Sequence, residues 1–71
     1  MKYRVFFISG MRWWLVGVVN HGGADHLILT CLREYARQFT KRERAEEYCA
    51  RLRRLGYRAR IETIREGGKS T

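Results

Sequence analysis

Four side chains in this 71-residue chain have the chemistry of metal ligands: His21, His26, Cys31 and Cys49. Structural zinc sites pair their ligands within roughly two to five residues, because one local turn must present two donors to a tetrahedral ion. Only the two histidines meet that spacing, and they sit in a glycine loop, N-H-G-G-A-D, with the thiols far apart along the chain. The expectation is two loop histidines and two thiols serving as small hydrophobes, with no metal and no cofactor. The same four residues make no nucleophilic set, since a Cys–His pair must be brought into contact and nothing in the spacing does that. Glu46-Glu47 is a pair of carboxylates, but Glu47 stands one helical turn before Arg51, the spacing of a solvated ion pair. Gly22-Gly23 lacks the lysine and hydroxyl residue of a phosphate loop, and Gly67-Gly68-Lys69-Ser70 has no helix to follow it. No catalytic constellation assembles, and a non-enzymatic binding module is expected.

Charge is the stronger signal. Lys and Arg number 15 against 7 Asp and Glu, for a net +8 and a pI of about 10.3. Such an excess favours polyanionic partners, nucleic acid first among them. The helix-borne arginines are interrupted by glutamates and make no continuous stripe. Arg4 and Arg12 near the start, Arg33 and Arg37 in the middle, and Arg58 and Arg60 near the end are better placed, provided their segments are neighbours. From these, Arg12, Arg33, Arg37, Arg58 and Arg60 are the candidate phosphate contacts, with Trp13 or Trp14 as a surface on which bases could stack.

The elements that must position these residues are led by F-T-K-R-E-R-A-E-E-Y-C-A-R-L-R-R-L-G-Y, residues 39–57. Thr40 with Glu43 reads as a capping box, and Gly56-Tyr57 as a glycine-terminated helix end folding back on Leu52. Ala45, Tyr48, Cys49, Leu52, Leu55 and Gly56 share one side at helical spacing, so a helix is expected over 41–55. Residues 2–8 and 12–19 are rich in aromatic and β-branched types and read as a hairpin turned at Ser9-Gly10-Met11. Residues 57–65 alternate as a last strand. The segment between is ambiguous: its apolar residues fit a helical stripe, yet no glycine ends it and almost no connector separates it from the next helix. A strand near 33–39 is favoured, with 26–32 extended or irregular.

The resulting fold class is α+β: a small two-layer sandwich, an antiparallel sheet of three to four strands with one long helix on one face, in the order β-β-(β)-α-β. One domain over 1–66 with a polar tail at 67–71 is expected. Both faces of the hairpin are apolar, Trp13, Leu15, Gly17 and Val19 alternating with Trp14, Val16 and Val18, whereas a half-exposed antiparallel strand carries one polar face. One helix covers one face. The other, with Phe6, Trp14, Val16 and Val18, is the expected interface for a homodimer or protein partner, which is the alternative to nucleic-acid binding. The longest apolar stretch, 5–19, is interrupted by Ser9, Gly10 and Arg12 and falls short of the ~20 residues of a membrane span. No signal peptide is read at the N-terminus, so no membrane association and a cytoplasmic location are expected.

With the helix placed, F-T-K-R-E-R-A-E-E-Y resembles the F-x-T-K-x-E-A-E junction of AP2-like, arm-type DNA-binding domains at the start of phage integrases. The similarity covers Phe39, Thr40, Lys41, Ala45 and Glu46, with tryptophan on an earlier strand. It implies a three-stranded antiparallel sheet that enters the major groove, followed by one helix, and a role as accessory protein of a phage or mobile element. The chain departs from that pattern in the added strand after Gly56 and in its more apolar hairpin. The run Phe39, Ala45, Leu52, Gly56, Ala59, Ile61 is also similar to the second half of a SPOR-like repeat, which implies peptidoglycan binding.

Overall fold

A computed structural model describes residues 1–65; the glycine-rich tail at 67–71 lies outside them. The chain runs β1 (Lys2–Ser9), β2 (Met11–His21), β3 (Ala24–Thr30), a 3₁₀ turn (Arg33–Tyr35), α1 (Arg42–Arg54) and β4 (Arg60–Ile64). The strands form one antiparallel sheet in the order β3-β2-β1-β4, with α1 packed over β1 and β4. The expected two-layer α+β architecture is therefore present, with four strands.

The middle of the chain differs from expectation. The third strand is Ala24–Thr30, while residues 33–35 form a 3₁₀ turn and only Phe39 of the segment favoured as a strand pairs with the sheet. Two local features explain this. Gly22 and Gly23 both have positive φ, +63° and +83°, the backbone of a two-residue hairpin turn whose twist suits flanking strands, so β3 starts at once after β2. At the far end the Thr30 hydroxyl accepts the Leu32 N–H at 3.1 Å, and Tyr35 and Ala36 donate to the carbonyls of Leu32 and Arg33, closing the turn.

Residues 36–39 then fill a split in the sheet. β1 and β2 pair only from Phe6–Trp14 to Ser9–Met11. Beyond that point β2 bends away, and its outward backbone groups need partners. Arg37 N–H donates to Leu15 O at 2.9 Å, and Tyr3 and Phe39 exchange N–H···O bonds at 2.8 and 2.7 Å.

The bend is a β-bulge. Leu15 stands opposite Leu29 but Gly17 stands opposite Ile28, leaving Val16 as the extra residue. An inserted residue reverses the in–out parity of everything after it. Leu15 and Val18 consequently lie on the helix face with Leu27 and Leu29, while Trp14, Gly17 and Val19 lie on the other. The two alternating sets read from sequence hold only as far as Leu15.

The core between the layers is Val5, Leu15, Phe39, Ala45, Cys49, Leu52 and Ala59, flanked by Tyr3, Val18, Leu27, Leu29, Tyr48 and Ile61. α1 presents Ala45, Cys49 and Leu52 to it, whereas Leu55, expected on that stripe, is exposed. The helix begins one residue later than expected. Lys41 is the N-cap with no side-chain cap bond, so the Thr40–Glu43 capping box does not form. Phe39 is held in its bridge to Tyr3, and Thr40 is an exposed lead-in rather than the cap. The C-terminus follows the sequence reading. Gly56 has φ +98° and donates to Arg53 O at 3.0 Å, and Tyr57 donates to Leu52 O at 3.1 Å, a Schellman closure. The Tyr57 ring then stacks on Phe7, centroids 4.5 Å apart. The Arg53 fork holds Ala59 O through Nε and Nη2 at 3.1 and 3.0 Å, which keeps 57–59 out of the ladder, so β4 starts at Arg60 and not at Tyr57.

Candidate nucleic-acid interface

The helix-free face of the sheet has a continuous cross-strand row, Arg60–Phe6–Trp14–Thr30, one residue from each strand. On either side of it lie the pairs Arg4–Glu62 and Ile8–Arg12. Phe6 and Trp14 are in contact with centroids 5.1 Å apart and planes tilted by 43°. The Arg12 guanidinium lies 5.0 Å from the Phe6 centroid and 5.9 Å from that of Trp14, and Arg33 reaches Trp14 from the 3₁₀ turn at 6.0 Å. These are cation–π distances, at which each contact contributes about 0.5–2 kcal/mol according to how dry it is.

Glu62, on the edge strand β4, is the carboxylate that gathers arginines of this face. It accepts Arg4 Nη1 at 2.9 Å and Arg33 Nε at 3.2 Å to each oxygen, with Arg33 Nη2 at 3.1 Å. Burial pushes the Glu62 carboxyl upward, but the hydrogen bonds and charges of Arg33 and Arg4 outweigh it and hold the group below the usual glutamate range. Arg4 is only 8% exposed and its Nε has no partner, a desolvation cost of about 1–3 kcal/mol offset by the charged pair. Arg4 therefore anchors the ion cluster and is not a ligand-facing group.

The structure brings four of the five candidate phosphate contacts together. Arg12, Arg33, Arg58 and Arg60 surround Phe6 and Trp14, Arg58 and Arg60 lining a shallow cleft of about 160 Å³ with Phe6 and Ile8. Arg37 does not join them. Its guanidinium lies over Phe39 at 5.2 Å and Tyr48 at 5.8 Å, beside Lys41 and Arg44 at the start of the helix.

The aromatic expectation changes. Trp14 is 3% exposed, enclosed by Phe6, Arg12 and Arg33, and offers bases no ring to stack on. Trp13 points to the helix side and donates from its indole to Ser9 O at 3.3 Å. The interface set separates as well: Phe6 is half-buried, Trp14 buried, Val16 sits in the bulge, and Val18 packs against the core on the opposite face. The apolar groups left open on the helix-free face are Ile8, Val19 and Ile28, at 62, 48 and 45% exposure. Ile8 falls on the face that alternation gives it with Phe6, whereas Val19, read with the Trp13 set, is moved here by the parity change at Val16, which has no marker in residue type.

Around the helix, Arg51 pairs with Asp25 at 3.8 Å and not with Glu47, which lies 3.7 Å from Arg44. The His21 and His26 rings meet in a T-shaped arrangement with centroids 6.2 Å apart across the hairpin end, and among the described residues no three His, Cys, Asp or Glu side chains gather as a metal site. Cys49 is buried as expected, and that burial pushes its thiol up; Cys31 is exposed, contrary to expectation. Among the described residues no helix is long and apolar enough to cross a membrane.

Fold and face together define a small two-layer α+β protein with an arginine-lined sheet surface. Comparison with protein-family profiles, curated proteins and solved structures gives no match to this chain.

Proposed function

We propose that this protein is a small, basic, non-enzymatic module that binds nucleic acid through the helix-free face of its sheet, with Arg12, Arg58 and Arg60 contacting phosphates and Arg33 held beside them by Glu62. The observation that carries this reading is their convergence on one face whose carboxylate, Glu62, is already shared by Arg4 and Arg33. Among the described residues, Arg12, Arg58 and Arg60 are not drawn into that ion cluster, which leaves them to an external anion. With Trp14 enclosed, base stacking contributes little, so binding is dominated by the phosphate backbone and its counterions and is weakly selective for sequence.

The test is fluorescence anisotropy with labelled duplex DNA and RNA across a salt series. Replacing Arg12, Arg58 and Arg60 together by Gln weakens binding and flattens the log–log salt dependence by about one unit per arginine. The set Arg37, Lys41 and Arg44 changed to Gln has a smaller effect. Equal losses from both triple variants, or salt-insensitive retention by the native chain, would exclude this face as the phosphate surface.

A further inference from the structure

The two edges of the sheet are built differently. β4 has five residues, with Arg60 and Glu62 inside it and Arg58 and Arg65 flanking it. Short length and charge are the usual means of keeping an edge from pairing with another chain. β3 has seven residues, A-D-H-L-I-L-T, with no lysine, arginine, proline or bulge of its own. Among the described residues, no backbone group of 24–30 forms a hydrogen bond outside the ladder with β2. Its outer N–H and C=O row is a ready template for another strand.

Charge says which strand. Residues 13–32 contain no lysine or arginine and one carboxylate, Asp25, so the rest of the chain holds the entire positive excess of a +8 protein. Two copies of so basic a chain repel one another, and the β2–β3 hairpin, which holds none of the cations past Arg12, is where their approach costs least. An antiparallel pair of identical strands is also self-complementary about a two-fold axis.

We infer that the open edge of β3 is a self-association surface and that its occupant is β3 of a second copy, paired antiparallel about Ile28. In that register Ile28 faces its own counterpart on the helix-free side, and Leu27 faces the second copy's Leu29 on the helix side, the apolar cross-strand pairs that stabilise a ladder. The sheet becomes eight strands, β4-β1-β2-β3-β3-β2-β1-β4. Antiparallel neighbours are related by an axis perpendicular to the sheet, so both helices lie on one side and both arginine faces on the other. The contact itself does not depend on nucleic-acid binding; the doubled arginine surface is its consequence for that reading. One seven-residue edge is smaller than the ~1,600 Å² of a standard interface, the size class of weak, reversible contacts.

Sedimentation of the full chain tests this. The native protein is expected to exchange between 8.5 kDa and twice that mass with concentration, and Ile28→Lys to remain at 8.5 kDa with an unchanged circular dichroism spectrum. Ile8→Glu, on the same face but away from β3, retains the dimer; its loss there would indicate a face-to-face contact instead. In a Cys31→Ser background, Ile28→Cys oxidises to a covalent dimer, and this arm decides the matter should Ile28→Lys unfold. A native chain that stays monomeric up to about 1 mM, a dimer that survives Ile28→Lys, or the absence of a disulfide cross-link in the Ile28→Cys variant overturns the inference.

Discussion

The arginine face and the β2–β3 hairpin are adjoining parts of one sheet held by opposite means. On the arginine face, order comes from charge: Glu62 draws Arg4 and Arg33 together across β1, β4 and the 3₁₀ turn, and Arg12 caps two rings. In the hairpin, order comes from apolar register, with Leu15 opposite Leu29 and Val18 opposite Leu27 around a bulge. A charged cluster is directional and responds to salt and pH, whereas apolar register responds to shape and area. The same sheet can thus expose cations on one half and an edge without cations of its own on the other without either weakening its neighbour.

The comparison breaks most sharply at Glu62. Glu62→Gln leaves the nearly buried Arg4 without its counter-charge and is expected to cost about 3 kcal/mol, the low end for a broken buried pair because Glu62 keeps some solvent access. Because its carboxyl is held below the ordinary range in the fold, Glu62 stabilises the native state above the ordinary glutamate value. That contribution is lost as pH falls through the lowered folded value. Chemical denaturation from neutral to strongly acid pH should show this acid limb in the native chain and a diminished one in Glu62→Gln.

Leu27→Ala sharpens the other side. It removes a half-buried partner of Val18 and should cost about 1–2 kcal/mol, below the 2–5 of a fully buried leucine. Its effect should not change with ionic strength or over the same pH range. A salt-dependent loss would mean that the hairpin is also held by charge. The smallest effect concerns the cysteines. A thiol reagent should label Cys31 promptly in the folded state, while Cys49, buried against the core with its thiol pushed up by desolvation, reacts only at the rate of unfolding. Prompt labelling of both would mean that α1 lifts from the sheet.

Much of this architecture is legible in residue order, and the failures have a common origin. The Schellman end at Gly56-Tyr57, the first hairpin and the buried side of α1 were readable because each depends on residues within a turn or two of one another. The Thr40–Glu43 cap was plausible on the same grounds and does not form, since Phe39, bridged to Tyr3, places the start of the helix. The pairing expected at 33–39 occurs at 24–30 because two glycines turn the chain earlier than the apolar pattern suggested. Arg37 looked equivalent to Arg33, only four residues away, but the 3₁₀ turn sends one to Trp14 and the other to Tyr48.

The amino-acid order by itself determined a basic two-layer protein with one amphipathic helix over an antiparallel sheet, because periodicity and local turn chemistry act over a few residues. Only the tertiary structure decided which side chains share a face. One unmarked extra residue, Val16, reverses every side chain after it, and its position is set by the match between β2 and β3 rather than by any preference of valine. The burial of Trp14, the grouping of four arginines and the bare edge of β3 likewise arise from strand pairing between segments far apart in the chain, where non-local hydrogen bonds choose the register.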